Sequence, residues 1–367
     1  MAINISFGGA NIKRPGAYSI VDTANMVPIQ LGASRVLAFV GVPASGATLP
    51  ADRVSYFNDP AIAAQQIGES ELLDLMRVAW QHGADLIAVS PAKVTPPATA
   101  PTDAEWQAAI DLLNYEFVDG IVPVTTQQAI LTKVDTHITN MSSVTNRKRR
   151  RGFYGHAAGA DLTAIQAIQT AIPAERGMLA SPTPYIFDND SNKVLATGSH
   201  YLAAAYAGLW ASLPPQEPIT YKYVEFPGLE KIYDGTEIVQ LLEAHVAPVE
   251  YVRNKGYRIV QGVTLSPSDD LTQSELSVST LKDVMSFNLE QYFEEKYVGK
   301  AGVAGIEITI YNDLVSKIEG FLKNGWIAGY VPESVKVTKS GTAFTLDWEG
   351  QPTLPINNFL ITSHFTL

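Results

Sequence analysis

The sequence predicts a layered α/β core, preceded by an extended arm and followed by a smaller α+β module. Three observations predict it. From about residue 34 to residue 250, short apolar runs alternate with helical stretches, the pattern of a sheet with helices on both faces. After about residue 250 this alternation gives way to long helices and a strand hairpin. Before it, residues 1–23 mix Gly, Asn and "RPG" with one short extended piece, "AYSIV", too little to pack alone. The expected divisions are therefore an arm over 1–23, a core over 24–250 and a C-terminal module over 251–367.

The core opens with "SRVLAFVGVPASGA", an apolar strand breaking into a Gly/Pro/Ser turn. "SELLDLMRVAWQHG" then places Leu72, Leu73, Met76, Val78, Ala79 and Trp80 on one broad helical face, with Gly83 as a C-cap. "DLIAVSPA" is a short buried strand, "DAEWQAAIDLLNYE" a second helix and "GIVPVT" a second buried strand. "QQAILTKVDTHITNMSSV" is a third helix, followed by a basic run and "GFYGHAAG". "LTAIQAIQTAI" is helical, "RGMLASPTPYIFD" extended, and "HYLAAAYAGLWASL" a helix built of small residues.

In the C-terminal module "KGYRIVQGVTL" reads as a strand. A helix from about Thr280 to Tyr297 carries a stripe of Leu281, Val284, Met285, Leu289, Tyr292 and Phe293. "GIEITI" reads as a further strand, before a helix with Leu314, Ile318, Phe321 and Leu322 on one side. "ESVKVTKSGTAFTLDWEG" is a hairpin turning at Ser340–Gly341. In the closing "INNFLITSHFTL", Phe359, Ile361, Phe365 and Leu367 share one face, and Leu360, Thr362, His364 and Thr366 the other. That period of two marks a half-buried strand. Its partner is either the chain's own "AFTLDW" or a sheet in another subunit.

Composition narrows the function. With 46% hydrophobic and 17% charged residues over 367 positions, there is ample material for a core. A net charge of -11 argues against nucleic acid as the main ligand, because neutralising phosphates needs a basic face. The absence of cysteine excludes disulfides and thiolate-held metals. The first residues lack a continuous apolar stretch of signal-peptide type, and no run approaches 18 apolar residues. No membrane contact is expected.

Catalytic and ligand motifs are incomplete. "GVPASGAT" (41–48) spaces its glycines like a phosphate-binding loop, but Ala47 stands where a Lys would reach the phosphates. "DNDSN" begins like a calcium loop, yet Lys193 replaces the required Gly and Ser199 the bidentate Glu. The six histidines have no metal-ligand spacing. "GSH" (198–200) lacks a G-x-S-x-G elbow, so a polar residue at a helix start is the plainer reading. The sharpest local feature is "NRKRRRG". Arg147, Lys148, Arg149, Arg150 and Arg151 form a phosphate site, meet an acidic surface of another copy, or line a solvated strand edge.

Taken in order, four stretches resemble contractile phage tail sheath proteins. They are "RPGAYSIVDTANMVPIQLGASRVLAFVGVPASG", "GADLIAVSPA", "RNKGYRIVQGVTL" and "SVSTLKDVMSFNLEQYFEEKYVG". Ala17 departs from an aliphatic position of that family, and Gln261 stands where a Trp is common. The resemblance implies a subtilisin-like α/β core without a working triad and a C-terminal module that exchanges strands with neighbours. Tyr18, Ile20 and Val21 of the arm, with Phe359, Leu360, Ile361, Phe365 and Leu367, would be the exchanged positions.

It further implies a structural subunit rather than an enzyme, without a cofactor. Copies would stack as rings around an inner tail tube, with baseplate and tail terminator proteins as further partners. The expected place is the virion tail, after assembly in the host cytoplasm. An α/β enzyme or anion-binding protein using the 41–48 turn is the alternative.

Overall fold

In this computed structural model the described residues are 5–7, 10–12, 35–96, 98–187, 194–340 and 343–357. The chain divides into two units, Met1–Ala33 and Ser34–Leu367. In the first, β1 (Ile5–Phe7) pairs antiparallel with β2 (Ala10–Ile12).

The second unit begins with β3 (Leu37–Gly41), β4 (Ser55–Phe57), α1 (Pro60–Ile67), α2 (Glu71–Gln81), β5 (Ile87–Pro91) and α3 (Asp103–Leu112). There follow β6 (Gly120–Pro123), α4 (Gln128–Met141), β7 (Arg151–Gly155), α5 (Leu162–Ala171), β8 (Gly177–Ser181), β9 (Pro184–Ile186), β10 (Val194–Leu195) and α6 (His200–Ser212). Next come β11 (Tyr223–Val224), β12 (Gly228–Leu229), α7 (Gly235–Glu243), β13 (Ala247–Val252) and β14 (Gly256–Ile259). The chain then forms α8 (Leu271–Ser274), α9 (Leu276–Tyr297), α10 (Ile306–Lys323), β15 (Ile327–Ser340) and β16 (Ala343–Pro352).

Nine strands form one sheet in the order β11-β14-β13-β8-β7-β6-β3-β5-β4. The run from β13 to β5 is parallel, and antiparallel strands close both edges. Successive side chains on a strand point to opposite faces, and here both faces are covered. Leu37, Phe39, Val89, Val122, Phe153 and Met178 enter one apolar layer with α1, α2 and α6. Ala38, Val40, Ala88, Ile121, Tyr154 and Leu179 enter the other, with α3, α4, α5 and α7. Parallel strands buried on both sides need continuous apolar runs, which is what the core strands supply.

Helix α6 explains its own composition. It is buried almost all round, and a methyl on Gly208 would lie 2.4 Å from the Ala79 carbonyl oxygen of α2. Alanines and Gly208 therefore let α6 approach α2 at backbone distance. At the end of α2, Gly83 adopts φ +103°, as a residue beyond a helix C-terminus does.

Three expectations change. "GIEITI" is not a strand but the first turns of α10: Ile310, Leu314, Ile318 and Phe321 are its buried positions. Isoleucines at 306, 308 and 310 satisfy a period of two, but Ile310 also starts the i, i+4, i+8 series, and packing selects the helix. The strand expected to open the C-terminal module, Gly256–Ile259, instead pairs with β13 inside the nine-stranded sheet. Helix α9 starts at Leu276, earlier than its apolar stripe suggests, and its first residues are the buried ones.

Candidate functional site

The C-terminal ribbon is the plainest candidate for contact with another molecule. β15 and β16 pair antiparallel from Ile327↔Pro352 to Ser340↔Ala343, with register shifts between Ile327 and Gly329 and between Val331 and Lys336; Gly341 of the expected Ser340–Gly341 turn lies outside the described residues. On β16, Phe344, Leu346 and Trp348 are half-buried while Ala343, Thr345, Asp347 and Glu349 are exposed. The half-buried side faces α10, where Phe321 stacks on Trp326 at 5.4 Å and lies 6.3 Å from Trp348. Among the described residues this sheet holds only these two strands, so each presents an unpaired edge. The positions expected to exchange, Tyr18, Ile20, Val21, Phe359, Leu360, Ile361, Phe365 and Leu367, lie outside the described residues.

The basic run is spent largely inside the chain. Asp283 of α9 accepts from Arg151 Nη2 at 2.7 Å and is held by both terminal nitrogens of Arg176 at 2.5 and 2.8 Å. Arg149 pairs with Glu290 through two bonds, 2.5 and 2.8 Å, and Arg147 with Glu294 at 2.8 Å. Spacings of 283, 290 and 294 put these acids on one side of α9, facing the start of β7. Burial pushes the Asp283 carboxyl up, but Arg151, Arg176 and Arg149 outweigh it and hold it below the usual carboxylate value. The Arg151 side chain is only 3% exposed.

Arg150 turns the other way. It donates to the carbonyls of Leu113 and Glu116 and meets His137 Nε2 at 2.5 Å. Burial, then Arg150 itself, lowers His137 to about 4, so its ring is a neutral acceptor. Lys148 donates to the Asn114 carbonyl. All five cations thus have partners in their own chain, and Arg150 and Arg151 are buried rather than on a solvated edge. The chain enters the sheet there, and burying two guanidiniums is tolerated because Arg151 pairs with Asp283 and Arg150 donates to two carbonyls.

The motif-like segments resolve into structure. The 41–48 turn leads through β4 before α1, not directly onto a helix N-terminus. Several of its amides are engaged: Ala44 donates to Ile67, Ala47 to Ala44, and Thr48 and Leu49 to Gln66. These bonds tie the turn to the end of α1, which weakens the anion-site reading. Ser199 Oγ donates to the Ala180 carbonyl and accepts the His156 amide, so it ties α6 to β8 and is no free nucleophile. His156 Nε2 meets Ser181 Oγ at 2.9 Å, and Ser181 meets the Tyr233 hydroxyl at 2.8 Å. This network is sealed: Ser181 and Ser199 are fully buried and His156 nearly so. Among the described residues no acidic or histidine cluster could hold a metal ion, and the "DNDSN" stretch (188–192) lies outside them. No helix among them is long and apolar enough to cross a membrane.

Residues that sequence reasoning passes over carry much of the seam. Asp283 sits beside the apolar stripe of α9, next to Val284 and Met285, and an acid in that position was the available signal. Arg176 stands alone in sequence. Arg35 lies 4.4 Å over the Trp210 ring and donates to the Leu213 carbonyl, while Trp210 Nε1 donates to Thr280 Oγ1 at 3.0 Å. The segment just after the arm, the end of α6 and the start of α9 therefore meet at one indole.

Residues 99–265 match the family model of the phage tail sheath protein central domain. The chain is 29% identical over 275 residues to the tail sheath protein of Bacillus phage SP01, covering 72% of this chain and 46% of that protein. With the tail sheath protein of Staphylococcus phage Twort it shares 26% over 241 residues, 64% of this chain and 40% of that one. The chain spans less than half the length of these relatives.

Solved structures share the fold. The sheath tail protein of Desulfitobacterium hafniense superposes with a TM-score of 0.69 at 11% identity, covering 92% of this chain and 96% of that one. The contracted helical sheath of the anti-feeding prophage gives 0.70 at 12% identity, covering 96% and 98%. The chain is thus similar to phage tail sheath proteins in its central sequence, and it shares their fold.

Proposed function

We propose that this chain is a structural subunit of a contractile tail sheath, which polymerises around an inner tube and shortens to drive that tube through a cell envelope. The observation that carries the reading is the ribbon β15–β16. Among the described residues it is a two-stranded sheet resting on α10, with edges open to added strands, in a chain similar to tail sheath proteins. An added strand gains main-chain hydrogen bonds for affinity and alternate side-chain contacts for register. Tyr18, Ile20 and Val21 of an arm over 1–23, and Phe359, Leu360, Ile361, Phe365 and Leu367, are the proposed donors.

In this reading the parallel sheet is a subtilisin-like core that has kept its layers and lost its chemistry. The C-terminal module begins beyond β14, at α9, and not at residue 251. The partners are other copies in stacked rings, the inner tube, the baseplate and a terminator protein, with assembly in the host cytoplasm. Of the basic run, Arg147 is the member placed to reach another copy, since its side chain is 49% exposed even in its pair with Glu294. The test removes residues 1–22. The expected product is a folded monomer with unchanged melting that forms no tubes by negative-stain microscopy. A large drop in melting temperature, or normal tubes, would sink the exchange reading.

A further inference from the structure

A large hydrophobic side chain in water is ordinary when it stands alone, and informative when several share one fixed surface. Val144 at 92% and Tyr115 at 85% are the two most exposed large hydrophobics among the described residues, and Phe117 is 75% exposed. They stand on the two loops that lead into the neighbouring parallel strands β6 and β7. Tyr115 closes a single 3-10 turn, Leu113–Tyr115, and Phe117 lies two residues beyond it. Val144 lies between α4 and β7.

Both loops are pinned. Leu113 and Val118 are buried, so the first loop is anchored on either side of its aromatics. Arg150, itself buried, donates to the Leu113 and Glu116 carbonyls. The Glu116 carboxylate accepts from the Tyr56 hydroxyl of β4, which ties the acid between the two rings back to the sheet edge. The second loop is closed by the Arg147 amide on the Ser143 carbonyl at 2.8 Å and the Lys148 amide on the Met141 carbonyl at 2.9 Å. Lys148 joins the two loops: its Nζ donates to the Asn114 carbonyl at 2.8 Å and lies 4.9 Å from the centre of the Phe117 ring. A buried guanidinium carries a desolvation cost, and what it holds in place here is a pair of rings in water. Rings ordered in advance lose little further freedom when a partner covers them.

We propose that Tyr115, Phe117 and Val144, with Lys148, form a contact surface for a second copy of this chain, the rings packing on apolar surface and Lys148 meeting a carboxylate. Charge identifies the occupant. Among the described residues Lys148 forms no ion pair, whereas Arg147 on the same loop is paired with Glu294. The chain carries 37 acidic against 26 basic residues, so another copy is rich in the group that Lys148 lacks. The same excess of acid repels nucleic acid and anionic lipid, for which a single lysine is too little attraction. The inference rests on the reading of this chain as a subunit of a many-copy assembly, and it adds a surface that does not depend on strand exchange.

The test is sedimentation of the full chain over a concentration series, at low and at high sodium chloride. The double variant Tyr115→Ser, Phe117→Ser should keep the wild-type urea midpoint, because both rings are exposed. It should need about tenfold or more protein to self-associate, as loss of interface aromatics requires. Lys148→Gln keeps a donor for the Asn114 carbonyl and loses the charge, so its self-association should depend less on salt than that of the wild type. A double variant that assembles like the wild type would overturn the proposal, and so would a marked fall in its urea midpoint, which would make the rings part of the chain's own fold. Wild-type binding to phosphatidylcholine–phosphatidylserine vesicles, lost in the double variant, would overturn it in favour of a membrane. If the double variant assembles normally while removal of residues 1–22 abolishes assembly, this surface fails and the sheath reading stands. A wild type that stays monomeric at every concentration sinks both.

Discussion

Replacing Asp283 by Asn keeps the side-chain shape and removes one negative charge from a site that three guanidiniums share. Arg151, 3% exposed, would then be a buried cation without a paired carboxylate, and Arg176, 15% exposed, would keep only Glu175 at 3.9 Å. Breaking a buried pair by neutralising one partner costs about 3–5 kcal/mol, because the remaining charge keeps its desolvation penalty. Glu290→Gln is the internal control. Its partner Arg149 retains Asp283 nearby and Glu290 is 35% exposed, so about 0.5–1 kcal/mol is expected. Urea unfolding followed by tryptophan fluorescence suits the measurement, since Trp210 hydrogen-bonds to α9 through Thr280 and stacks near Phe153.

The pH dependence gives a second, independent readout. Asp283 is held below its ordinary value of 3.8, so its contribution is full above that value and is lost as pH falls below it. Asp283→Asn should therefore be flatter than wild type on the acid side. A loss under 1 kcal/mol at neutral pH, with unchanged acid sensitivity, would show that the seam is solvated in solution and that the reasoning from burial is wrong.

Two other substitutions separate the remaining roles. Ser199→Ala should cost about 1–3 kcal/mol in thermal or urea unfolding, because the buried His156 amide loses its acceptor; tube formation by the surviving folded protein should be unaffected. Ile361→Pro should leave the fold and melting intact and abolish tubes by electron microscopy, since proline removes a ladder donor and fixes φ.

The core was legible because its signals are local. Strands such as "VLAFVG" and "DLIAVSPA" are apolar throughout, and the helices between them carry caps that can be read directly, such as Ser70 before α2 and Thr102 with Glu105 around α3. What was not legible depends on distant partners. "GIEITI" satisfies two periodicities at once, and only the surface that α10 packs on decides between them. The pairing of Gly256–Ile259 with β13 is a hairpin whose turn, with Asn254 at φ +63° and Gly256 at φ +94°, was visible. Its membership of the nine-stranded sheet was not. The basic run shows the same limit most sharply. Five cations in an acidic chain suggest an external partner, yet the acids that meet three of them stand more than 130 residues later, on a helix whose apolar stripe drew the eye away from Asp283.

Helix α9 is held to the core by charge along one face, and the strength of that hold falls along the helix. Asp283 sits among Arg151, Arg176 and Arg149 and is held below its ordinary value, so this part of the seam is complete at neutral pH and weakens only in acid. Further on, Arg149 with Glu290 and Arg147 with Glu294 form pairs that are more exposed and therefore worth less. For a subunit proposed to keep its strand connections while neighbouring copies rearrange, that gradient is the mechanical property required: the end of α9 nearer α10 can yield while its first half stays with the core.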